Sequence, residues 1–242
     1  MLNLLHSEFT KLRTTPAAWW TLSLILLIPA LAAFALAGMS RTGVPYIPLS
    51  VVGVGIIPVL LLVIIQSAMV VTTEYRFNLP ATNYRLNPRR WQVGVVKLLL
   101  SATTAAAGTF VAFVIAFFLG DLIAAVPANW THNPAVQRAL WALPLAMALT
   151  SVLSQGIGWC LRNTAGTITL VMVLQVIVES IAPVIPRYGQ EIAQYLPFSN
   201  LYAFMLNQPR SEIGTWGALG VFAVWAVALW LIGLVSLERR DA

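Results

Sequence analysis

Charge is what this sequence has least of. Only 9% of its 242 residues are Asp, Glu, Lys or Arg, where a soluble domain carries roughly a quarter. That shortage excludes a soluble globular body. With 59% hydrophobic residues and a mean hydropathy of +0.83, the apolar surface exceeds what one core can hide, and much of it must face lipid. Cysteine is nearly absent too: Cys160 alone cannot close an internal disulfide and offers no thiolate cluster for a metal. There is no GxxxxGK[ST] to cradle nucleotide phosphates, no HExxH and no GxSxG. The fragment GVGIIP at Gly53 lacks the third glycine of a dinucleotide fingerprint and lies inside a lipid-length run. No catalytic set, metal site or cofactor site on this chain is expected. The N-terminal MLNLLHSEFTKLRTTP mixes polar and apolar residues without a cleavage signature, so no secretory signal is expected either.

What is present is a series of long apolar runs. A helix needs about 20 apolar residues to cross a bilayer. Six runs reach that length: Trp19 to Met39, Leu49 to Val71, Leu98 to Gly120, Leu140 to Cys160, Ala165 to Ile185 and Trp216 to Leu237. None holds a Lys or Arg, and only the fifth holds an acid, Glu179. The expected fold is an all-α polytopic membrane protein with six spans, one transmembrane domain over 18–242 preceded by an interfacial helix over 1–17.

The basic residues orient these spans. With the N-terminus in the cytoplasm, Lys11, Arg13, Arg76, Arg85, Arg89, Arg90, Lys97, Arg162, Arg239 and Arg240 fall inside, and only Arg41, Arg138, Arg187 and Arg210 outside. The excess sets both termini inside and places the chain in the plasma (inner) membrane. It also accounts for the net charge of +6 without a nucleic-acid partner, since no basic module stands apart from the membrane. The two histidines, His6 and His132, then lie on opposite sides.

Ahead of the first span, Leu2, Leu5, Phe9 and Leu12 recur at helical spacing while Asn3, Glu8 and Lys11 point elsewhere. This is the pattern of an amphipathic helix on the membrane surface. Pro16 turns the chain and Trp19 with Trp20 anchor it at headgroup depth. The four-residue link LRNT makes the fourth and fifth spans antiparallel neighbours. On the other side, residues 186–215 are cut by Pro186, Pro197 and Pro209 and carry Tyr188, Tyr195, Phe198, Tyr202 and Phe204. Short helices dipping into the outer interface are expected there.

The segment 74–97, EYRFNLPATNYRLNPRRWQVGVVK, concentrates five of the fourteen basic residues between two apolar runs. Turn-prone PATN divides it into two short helical pieces, Tyr75 to Leu79 and Pro88 to Lys97. Topology alone would explain the arginines, which gain about 1 kcal/mol each beside anionic headgroups. It does not explain Glu74, Tyr75, the Pro80 break and the Asn-Pro-Arg-Arg run together.

With SEFTKLRTTPAAWW at the entrance, TTEYRFN and NPRRWQVGVVK around this loop, six spans, and YLPFSNLYAF before the last span, the chain resembles permease subunits of ABC-2 type ATP-binding-cassette exporters, particularly actinobacterial ones. The resemblance implies that the loop is a coupling element docking in a separate P-loop ATPase, with Glu74, Arg76, Arg85, Pro88, Arg89 and Arg90 as the docking candidates. It implies two ATPase copies carrying ATP and Mg, a second permease chain, and export of an amphiphilic or hydrophobic drug, antibiotic, lipid or peptide. The permease itself would be no enzyme.

Four polar residues within the spans are candidates for a translocation pathway: Gln66, Gln155, Gln175 and Glu179. The glutamines equally suit hydrogen bonds between helices. Glu179 could serve a proton-coupled transporter, or act as glue to the external segment. A non-transporting scaffold or immunity protein is a further alternative. In the third span, Ser101, Ala105, Thr109, Ala112 and Ala116 make a face for close helix packing.

Overall fold

Pro16, Pro134 and Pro197 each stand in the first turn of a helix, where the missing N–H costs nothing and the fixed φ suits the helix. The computed structural model describes residues 2–76, 90–208 and 213–239, and all of its regular elements are helices. These are α1 (Leu2–Thr14), α2 (Pro16–Met39), α3 (Pro48–Arg76), α4 (Arg90–Ile123), α5 (Pro134–Leu161), α6 (Thr164–Val184), α7 (Gly189–Ala193), α8 (Pro197–Met205) and α9 (Gly214–Arg239). Six of them, α2 to α6 and α9, are long and apolar enough to cross a membrane. The chain is an all-α polytopic membrane protein.

The bundle is built around α3 and α5. Over half of their apolar stretches is buried, 56% and 61%, against 28% of α2 and α9 and 22% of α6, which present their sides to lipid. α5 packs on α3, α4, α6 and α9, and α2 packs on α3 and α4. Pro29, Pro58 and Pro144 sit inside α2, α3 and α5, yet each helix runs on through, as neighbouring helices in a membrane allow. The face Ser101, Ala105, Thr109, Ala112 and Ala116 of α4 is fully buried, as its small side chains require. At Gly156 of α5 and Gly233 of α9 the two backbones touch: a Cβ on Gly156 would lie 2.5 Å from Leu229 C and Trp230 N.

Local capping explains the tight connections. Asn163 accepts from Gly166 N and starts α6 just after Arg162 closes α5 in the left-handed region, φ 52°. Asn133 accepts from Ala135 N and Val136 N at the start of α5. In α6, a π turn at Val173–Val178 interrupts the α-helix and is followed by a short α turn and a 3₁₀ turn, Ala182–Val184.

Three details correct the sequence expectations. Of the expected piece Pro88 to Lys97, residues Arg90 to Lys97 are not a separate short helix but the opening of the 34-residue α4. The helices extend past the apolar runs, so Lys97 lies inside a helix rather than in a loop. And Glu8, set aside as part of the polar face of α1, points into the protein and is buried, while Leu5 and Phe9 are left uncovered. Trp19 and Trp20 are exposed on the outside of α2, and Trp19 Nε1 donates to Arg13 O at 2.8 Å, fastening the bend between α1 and α2. In residues 186–215, α7 and α8 form where short helices were expected, and Phe198 packs edge-on against Phe222 of α9 at 5.8 Å.

Candidate functional site

Two lysines and two glutamates meet where α1 crosses the ends of α3 and α4. Glu8 and Lys11, three apart on one face of α1, face Glu74 in the last turns of α3 and Lys97 two turns into α4. Lys97 Nζ lies 2.7 Å from Glu8 Oε2 and 3.0 Å from Glu74 Oε1; Lys11 Nζ lies 2.6 Å from Glu8 Oε1 and 2.8 Å from Glu74 Oε1. Each cation thus bridges both anions, closing a ring of zero net charge. Lys97 adds a third bond, to Val70 O at 3.1 Å.

Burial makes this ring consequential. Lys97 is 2% exposed, Glu8 4% and Glu74 8%. A charge taken out of water costs several kcal/mol unless partners replace its hydration, and here every buried charge has an opposite one within hydrogen-bonding distance. Lys11 is nearer the surface. Burial pushes its ammonium down, but the hydrogen bonds and attraction from Glu74 and Glu8 outweigh this and hold it above the usual lysine range.

A polar seam continues from the ring into the bundle. Gln155 Nε2 of α5 donates to Lys97 O at 3.1 Å, and Ser101, Ser67 and Ser151 link α4, α3 and α5 through hydroxyls 3.1 and 3.0 Å apart. Thr72 and Thr164 join α3 to α6 at 2.6 Å. Tyr75 packs edge-on to Trp159, and the Arg162 guanidinium stands 4.8 Å over its ring. Arg90 Nη1 donates to Leu237 O of α9 at 3.4 Å. The helix ends bordering residues 77–89 are therefore bonded to every other span except α2, and through the ring to α1. A cavity of about 360 Å³ lies against the ring between α1, α2, α3 and α4.

A second polar group sits at the opposite end of α6. Glu179 accepts from Phe198 N and, at 2.6 Å, from Ser199 Oγ, so it satisfies the first turn of α8. Gln175 Nε2 donates to Tyr202 Oη at 2.6 Å. Gln175 lies within the π turn and Glu179 directly follows it. Arg138 closes this end: it donates to Phe204 O at 2.8 Å and stands over the rings of Trp141 and Phe204, with Trp216 stacked on Trp141.

The structure thus separates the sequence-predicted residues. Of the docking candidates, Glu74 is turned inward and paired with two lysines, and Arg90 donates to Leu237 O of α9. Arg85, Pro88, Arg89 and the side chain of Arg76 lie outside the described residues. Of the pathway candidates, Gln66 lines the cavity, Gln155 bridges α5 to α4, and Gln175 and Glu179 hold α8. Sequence reasoning missed Glu8, Lys11 and Lys97 as a group. The available signal was two acids and two lysines at the same end of three helices in a chain with so few charges. Compared with known proteins, the chain matches no family model and no curated sequence.

Proposed function

We propose that the chain is the membrane-spanning permease subunit of an ATP-driven exporter, its 74–97 loop facing the cytoplasm and docking on a separate P-loop ATPase. One observation carries this reading: the buried charge ring fastens the surface helix α1 to the two helices that enter and leave that loop. An ionic joint is a costly way to gain stability, since apolar side chains of similar size serve as well or better. It does hold helix ends in one arrangement, and a joint of that kind is where a push on the loop would reach α3 and α4 together. Glu74 then acts as a positioning residue within the joint, and the arginines of the loop supply the contact. A guanidinium suits that role because it pairs with a carboxylate through a two-pronged bond.

In this reading ATP and Mg bind the ATPase pair, a second permease chain completes the membrane unit, and cargo moves because its affinity differs between two states of the pair. The scarcity of charge in the spans favours amphiphilic or hydrophobic cargo. The proton-driven alternative loses its support at Glu179, whose carboxylate is engaged with the first turn of α8.

Pull-down from native membranes tests the docking. The doubly reversed Arg89→Glu, Arg90→Glu chain should insert normally and retain at least about tenfold less P-loop ATPase, the loss expected when two charge-assisted contacts turn repulsive. Because Arg90 also bonds Leu237 O, Arg85→Glu with Arg89→Glu serves as the partner variant that leaves that bond intact. Undiminished ATPase with both variants would remove the docking claim.

A further inference from the structure

The cavity beside the charge ring has the makings of a binding site. At about 360 Å³ it falls within the range of small-molecule pockets. Its walls are largely apolar, with Leu12, Pro16, Met69, Val70 and Leu100 prominent. Water alone is a poor tenant for such walls. Along α3 the polar lining is Thr73 and Glu74 at the ring end, where the Thr73 hydroxyl is taken up by Met69 O, and Gln66, eight residues deeper than Glu74 and about 12 Å along the helix. Gln66 is 5% exposed, lines the cavity, and keeps a carbonyl oxygen, Oε1, with no partner among the described residues. Its neighbours one residue along and across the bundle, Ser67, Ser101 and Ser151, satisfy one another and leave it out. A buried amide without a partner is unfavourable, so a polar group brought to it by a ligand has something to gain.

We infer that this cavity binds a bipolar amphiphile: an apolar body with a hydroxyl-type group at its deep end, bonded to Gln66, and a second polar group at the charge ring. A hydroxyl both donates and accepts, so it meets the Gln66 amide in either orientation of its oxygen and nitrogen. The two polar ends match the spacing of Gln66 and Glu74, and the chain between them replaces water along Met69, Val70 and Leu100. Where α1 meets the start of α2, the lining residues Thr14 and Thr15 are exposed and Ala17 and Ala18 partly so, which puts the cavity's edge there. The site is a property of this chain alone and does not depend on an ATPase.

Photolabelling of the full chain in phosphatidylcholine vesicles tests it. The probes are a diazirine-bearing decanediol and the matching decanol, which keeps the outer hydroxyl and lacks the deep one. The diol should label the stretches Leu12–Thr21 and Gln66–Thr73 about fivefold more than the decanol, what one net hydrogen bond supplies. In Gln66→Leu, which keeps an apolar side chain of similar size in the same helix, the diol should lose that preference. Ala18→Phe, which fills the edge and leaves Gln66 in place, should lower labelling by both probes. Displacement by monoolein in the vesicles assigns the natural occupant to the membrane lipids, and displacement by unlabelled decanediol alone to a dissolved amphiphile; both uphold the site. Equal labelling by diol and decanol in the native chain, or labels spread evenly over the lipid-facing helices, would overturn it.

Discussion

Replacing Lys97 with Met should cost the protein about 3–5 kcal/mol, the penalty for stripping the counter-ion from buried charges. Lys97 Nζ is the partner of Glu8 Oε2 at 2.7 Å and shares Glu74 Oε1 with Lys11. Without it, Glu8 keeps only Lys11, and the two carboxylates face each other across the space the ammonium held. A methionine fills that space and satisfies neither. The measurement is thermal unfolding of the detergent-purified chain, with a marked fall in midpoint expected. Adding Glu8→Gln to Lys97→Met should recover much of the loss, because one negative charge then remains for one positive charge, and contacting residues of this kind are strongly non-additive. A Lys97→Met chain as stable as the native one would mean that the ring carries no energy. The ring also sets a direction for pH. Lys11 titrates above its ordinary 10.5 in the folded chain, so its contribution is complete below that value and is lost as pH rises through the higher folded one. Loosening of α1 is therefore expected only in strong alkali.

Glycine-to-alanine substitutions in α9 should change stability with opposite sign at two positions. Gly233 lies against α5 so closely that a Cβ would stand 2.5 Å from Gly156 O and 3.0 Å from Gly156 Cα. Backbone atoms cannot swing aside as a side-chain end can, so Gly233→Ala must separate α5 from α9, at about 1–3 kcal/mol or more. At Gly220, in the same helix, nothing lies within 4 Å of the added carbon. There Ala gains the roughly 0.5–1 kcal/mol by which it exceeds Gly in a helix. Unfolding midpoints of the two variants should fall on either side of the native value. A Gly233→Ala chain with an unchanged midpoint would show that α5 and α9 do not meet backbone to backbone.

The six spans were legible because lipid imposes a simple demand, length without charge, and runs such as Leu49 to Val71 meet it plainly. Short helices within 186–215 were legible from a stretch rich in aromatic residues and cut by prolines, and the close face of α4 from its small side chains. The charge ring was not. Lys97 reads as one more basic residue at the end of a cytoplasmic loop, and only the packing of α1 on α4 brings it to Glu8, 89 residues away. Glu8 itself reads as part of a water-facing surface, because an amphipathic pattern shows which face is apolar and is silent about what covers the other. The π turn Val173–Val178 has no proline or glycine to announce it. Gln175 within it donates to Tyr202, and Glu179 just after it accepts from Phe198 N and Ser199 Oγ, long-range contacts that no local pattern contains. Likewise Gly156 and Gly233 look like ordinary glycines until the two helices are laid together.

The proposed function needs residue 85 to lie in the cytoplasm and under an ATPase. Arg85→Cys in a Cys160→Ser background, probed with a membrane-impermeant thiol reagent, reads both conditions at once. The account predicts no labelling in intact cells, full labelling in inside-out vesicles stripped of peripheral proteins, and protection when the ATPase is bound. Labelling from outside intact cells, or labelling in the vesicles that an ATPase never diminishes, would contradict it.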